Sequence, residues 1–86
     1  MATEILSTGS TAANSSDVVI AEGGALTVCL KGAAAGSAVV ISLKDDGSSY
    51  NVIGVINSQN PSVLISAAGT YRFTRIAGSA CGVFSA

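Results

Sequence analysis

The stretch SAVVISLKDDGSSYNVIGVI, residues 37–56, leaves the chain little choice of fold. Val39, Ile41 and Leu43 alternate with Val40, Ser42 and Lys44, a period of two that belongs to a strand and not to a helix. Asp45-Asp46-Gly47-Ser48 supplies turn residues, with Gly47 expected to take the positive φ that a tight hairpin needs. On the return strand Tyr50, Val52, Gly54 and Ile56 are expected on one face, and Ile53 and Val55 on the other. That strand is apolar on both faces, the pattern expected when one side meets the core and the other a partner or a second sheet. Gly54 in its middle signals a bulge or a close backbone approach.

The rest of the chain repeats this grammar, with Gly, Pro, Asn and Ser clusters roughly eight to twelve residues apart. Val18, Val19 and Ile20 form a short strand ended by Gly23-Gly24. Leu26, Val28 and Leu30 alternate with Ala25, Thr27 and Cys29. GAAAGS and NSQNPS read as loops, the second because Pro61 cannot donate to a ladder. VLIS is a short strand, GTYRFTR a longer one, and SACGVFSA the last. About seven or eight short strands predict an all-β domain, a small antiparallel β-sandwich or barrel of Ig-like or jelly-roll-like type. Residues 17–86 are assigned to that single domain, and the polar, Ser/Thr/Ala-rich residues 1–16 to a flexible N-terminal arm.

Composition narrows the function. Eighty-six residues support one modest core. Charged residues are 10%, net charge −1, against about 25% charged in an ordinary soluble domain. Interface cores are depleted in charge, so much of this surface is expected to be covered in the working state. With no His, neither a Ser-His-Asp nor a Cys-His arrangement can be assembled. The acids are Glu4, Asp17, Glu22, Asp45 and Asp46, and the only adjacent pair lies in a turn without the further oxygen ligands of a calcium loop. No catalytic residue, metal site or cofactor is therefore expected, and the chain reads as a non-enzyme. Four basic residues in a slightly acidic chain do not make a nucleic-acid footprint. The longest nearly uncharged run, Gly32 to Leu43, is too short to span a bilayer. MATEILSTGS has no basic residue before its apolar patch, unlike a secretory signal, so synthesis in a cytoplasm is expected. Cys29 and Cys81 lack CxxC or zinc spacing and are expected as reduced thiols packed like small apolar side chains.

In GTYRFTR, Tyr71 and Phe73 share one face, while Thr70, Arg72 and Thr74 share the other. Gly-x-Tyr after a turn resembles the tyrosine corner of Greek-key sandwiches, in which the phenol bonds back to the main chain. Tyr71, Phe73, Arg72, Ile53 and Val55 are the residues singled out as structural or interface candidates.

Residues 39–84, through the run ISLKDDGSSYNVIGVI…VLISAAGTYRFTR, resemble the small β-sandwich virion proteins of tailed bacteriophages. The resemblance implies a non-catalytic structural protein, foremost a capsid decoration (cement) protein located in the virion. Its implied partners are further copies of itself, a closed ring such as a trimer suiting it, and a major capsid or other virion protein; neither nucleic acid nor membrane is among them. A receptor- or carbohydrate-binding module of a fibre or neck is the alternative. A secreted adhesion domain stapled by Cys29–Cys81 is a third reading.

Overall fold

The computed structural model describes residues 3–32 and 34–86. Among them are nine strands and no helix: β1 (Thr3–Gly9), β2 (Ala13–Asn14), β3 (Val18–Ile20), β4 (Leu26–Lys31), β5 (Ala38–Lys44), β6 (Tyr50–Asn57), β7 (Ser62–Ile65), β8 (Gly69–Arg75) and β9 (Cys81–Ser85). They form two antiparallel sheets packed face to face. One runs β1-β9-β4-β7; the other runs β2-β8-β5-β6, with β3 also paired to β8. The all-β sandwich expected from the alternating pattern is what forms.

The core follows that alternation. Val28 and Leu30 from β4, with Cys81 and Val83 from β9, face Val39, Ile41, Ile56, Tyr71 and Phe73 from the other sheet. Within the second sheet Ile41 pairs with Phe73 and Leu43 with Tyr71, while Val39 pairs with the buried Arg75, so two of these three inner-face pairs are apolar. Such pairs are the unit of sheet stability.

Three expectations need correction. Residues 3–14, assigned to a free arm, are integral to both sheets: β1 lies along β9 and β2 against Arg75 and Thr74 of β8. Ile5 and Leu6 supply the reason, packing against the core from β1. The second correction concerns β6. Its register on β5 steps from Ile41–Gly54 to Ser42–Val52, leaving Ile53 as an extra, bulged residue. A bulge inverts the alternation beyond it, so Gly54 and Ile56 face inward while Tyr50 and Val52 join the outer face. Third, at the β5–β6 turn the positive φ belongs to Ser48, at 68°, and not to Gly47. The Asp45 carboxylate makes this possible, accepting hydrogen bonds from the Gly47 and Ser49 N–H groups at 2.8 and 2.9 Å. That local Asx pattern fixes the turn from its first residue.

Two glycines are required by their surroundings. A Cβ on Gly82 of β9 would lie 2.7 Å from the Leu6 carbonyl oxygen and 2.9 Å from the Thr8 nitrogen, both main-chain atoms that cannot step aside. Gly69, at the start of β8, has φ +156°, and a Cβ there would lie 2.8 Å from a Leu43 methyl.

Candidate functional site

The two lateral edges of the sandwich differ. On one side the chain crosses from β1 to β2, and Arg75 of β8 ties the crossing down. Its guanidinium donates Nε–H to the Thr11 carbonyl at 2.6 Å, and Nη1–H to the Ser7 and Cys81 carbonyls at 2.6 and 3.0 Å. The side chain is buried, so these charge-assisted bonds replace the hydration of its charge. Ser15 fastens the next residues: its hydroxyl oxygen accepts the Phe73 N–H at 3.0 Å, and its own N–H donates to the Phe73 carbonyl at 2.8 Å. A cleft of about 360 Å³ remains between Thr3–Ile5 and Ser16–Val18, with a polar rim. Its two carboxylates are both engaged, Glu4 with Lys31 and Asp17 with Lys44.

On the opposite side the sheets end in β6 and β7, beyond which no further strand lies among the described residues. Between these two edges lies an apolar cleft of about 320 Å³, floored by Ile41, Gly54, Ile65 and Tyr71 and rimmed by Ile53, Val55 and Leu64. The rim is exposed: Ile53 55%, Val55 48% and Leu64 64%, with Val52 beside it at 67%. No charged residue occurs between Tyr50 and Asn57. An apolar, uncharged pair of strand edges is a surface that invites another chain.

The five candidate residues therefore fall in three places. Tyr71 and Phe73 are core residues, 1% and 0% exposed. The Tyr71 hydroxyl donates to the Ala67 carbonyl at 2.8 Å, a return bond to the main chain four residues upstream, as in a tyrosine corner. Arg72 lies on the outer face of the second sheet, its guanidinium 3.6 Å from the centre of the Tyr50 ring. The Tyr50 hydroxyl donates to Asp17 Oδ1 at 2.7 Å, so a cation–π contact and an ion-paired carboxylate brace one another there. Arg75, three residues beyond Arg72 on the same strand, points inward with Tyr71 and Phe73. Ile53 and Val55 alone of the five meet at a surface, the open edge, with Tyr71 touching its floor from inside.

Leu64 and Val52 complete that edge and were not singled out. Leu64 is in register with Thr27 of β4, on the outer face, a position that the short run VLIS does not reveal by itself. Val52 owes its exposure to the bulge. Cys29 and Cys81 are both free, the first half-buried and the second buried. They lie at alternate, oppositely facing positions of one sheet: Cys29 is paired with Ser62 and Phe84, and Cys81 shares the inner face with Val83. That arrangement separates them on two sides of a sheet, which a bridge cannot cross.

One carboxyl is perturbed. The Asn51 side-chain amide, first, and then the Ser49 N–H hold Asp45 below the ordinary carboxylate range, assisted by the Gly47 N–H. Its role is to fix the turn leading into β6. Among the described residues no group of three or more His, Cys, Asp or Glu could hold a metal ion, and no helix is long and apolar enough to cross a membrane. Compared with known protein families, curated proteins and solved structures, the chain matches none.

Proposed function

We propose that this protein is a non-enzymatic structural component of a tailed-phage virion, a capsid decoration protein that self-associates and braces the shell. The single observation carrying the self-association is the open edge, where Ile53, Val55 and Leu64 rim an apolar cleft beside two strands with unpaired sides. A monomer in water gains nothing from such an arrangement, whereas covering it removes apolar area from solvent at about 25 cal/mol per Å². The charge-poor composition supports the same reading, because copies can approach without strong mutual repulsion. The virion assignment draws on the resemblance of residues 39–84 to small phage sandwich proteins. In this role the rigid sandwich is a clamp: its edge meets another subunit, and its faces span the seam.

The test combines light scattering across a wide concentration range with co-sedimentation on shells assembled from a major capsid protein encoded beside this chain. Oligomers that pellet with shells are the expected result. A protein that remains monomeric and stays in the supernatant overturns the proposal, and selective retention on a glycan array would favour the fibre-module alternative.

A further inference from the structure

We infer that the open edge closes on a second copy of this chain through a two-fold antiparallel β6–β6 contact centred on Gly54. The inference deepens the self-association reading and rests on it. It comes from how the bulge at Ile53 distributes the side chains of β6. On the outer face are Tyr50, Val52, Val55 and Asn57, as their pairing with Lys44, Ser42, Val40 and Ala38 shows. On the inner side are Asn51, Gly54 and Ile56, paired with Leu43, Ile41 and Val39.

Two antiparallel strands in one sheet must match outer residues with outer and inner with inner. A two-fold axis at Gly54 meets this condition along the whole strand when the bulge is counted as two residues opposite one. Gly54 then faces Gly54, Val55 of one copy faces the Val52–Ile53 pair of the other, Ile56 faces Asn51, and Asn57 faces Tyr50. An axis through Gly54 without that allowance would set outward Val52 against inward Ile56. Counted in this way the bulge leaves the ordinary face-matching of antiparallel strands intact along all of β6, and the axis at Gly54 is the one that overlaps the two copies over their full length.

Charge and size agree. None of the eight residues is charged, so no ion is desolvated and no like charges meet. The positive groups nearest the Tyr50 end, Lys44 and Arg72, come opposite the neutral Asn57–Asn60 loop of the other copy. Val52, Ile53 and Val55, all about half exposed or more, become one six-residue apolar cluster across the axis. Eight residues of strand span about 26 Å at 3.3 Å per residue, most of the 34 Å length of the molecule. An interface of that extent belongs at the small end of specific contacts, so the dimer exchanges readily. Each copy's β6 edge is used up by the other's, so the contact closes at two copies, a two-fold and not a three-fold association at β6.

The experiment measures dimer dissociation constants by sedimentation for the full chain and for V52D, V55K and V52D/V55K, with circular dichroism checking that each is folded. Each single variant is expected to weaken the dimer more than about 100-fold, by placing two unpaired charges in the contact. The double variant sets each new acid opposite a new base, and is expected to regain most of the affinity at low salt and lose it at high salt. A wild-type protein that assembles while neither single variant weakens it overturns the inference but leaves self-association standing. Two weakening singles without rescue overturn the register. A wild-type monomer at every concentration overturns both. If a charged variant does not fold, V52T/V55T replaces it, and an unchanged dissociation constant there counts against the contact.

Discussion

The two lateral edges of this sandwich solve the same problem in opposite ways. At the β1–β2 side the chain itself closes the gap: the strand crosses between sheets, and buried Arg75 gathers carbonyls from Ser7, Thr11 and Cys81. At the β6–β7 side the chain passes between the sheets through the short loop 58–61 at the strand ends, and Ile53, Val55, Leu64 and Val52 stand in the open. One edge hides a charge to satisfy main-chain groups within the molecule; the other leaves apolar surface unsatisfied. Burial of a polar group is justified only by intramolecular bonds, while exposed apolar area acquires a use when another molecule covers it. The first edge thus serves the stability of the single chain, and the second is the one we propose for association.

Substitutions should separate these roles, and R75A should have the largest effect. It removes three charge-assisted bonds and leaves three carbonyls without their donor, costing about 3 kcal/mol or more out of a stability of order 5–15 kcal/mol. Chemical denaturation should report that loss, and R75K should recover only part of it because an ammonium cannot reproduce the planar fork. Next, G82A pushes a methyl into the main chain of β1 and is expected to cost about 1–3 kcal/mol, with faster amide exchange along β1. Y71F, which removes the bond to Ala67, should cost about 1 kcal/mol without changing association. V52D and V55K should alter monomer stability by no more than about 0.5 kcal/mol. A loss comparable with that of R75A would show the open edge to be structural after all.

The smallest effect concerns Asp45. Its folded-state carboxyl is held below the ordinary value, so the unfolded chain takes up a proton first as pH falls. The stabilisation is fully present above the unfolded value near 4 and disappears as pH drops through the lower, folded value. Thermal melts between pH 5 and 2 should show D45N lacking this component of the acid sensitivity.

Much of the fold was legible because alternation is a local property. Val39, Ile41, Tyr71 and Phe73 sit on the faces that period two assigns them, and Gly69 two residues before Tyr71 marks the corner. What escaped depends on contacts distant in sequence. β1 and β2 look like a polar tail until Arg75, more than sixty residues away, supplies their anchor; the only local hint was Ile5-Leu6. Gly54 announced an irregularity in β6 but not its location at Ile53, and that one residue decides whether Val52 is inside or outside. For the site, Ile53 and Val55 were readable from a strand apolar on both faces. Leu64 was not, because a short run like VLIS does not say which side its neighbour covers.

Concentration-dependent hydrogen exchange puts the contrast between the edges to the most direct test. Amides of β1 should be protected equally in dilute and concentrated protein, whereas amides of β6 should gain protection as concentration rises. Exchange on β6 that ignores concentration, or new protection appearing on β1 instead, would contradict the division of labour proposed for the two edges.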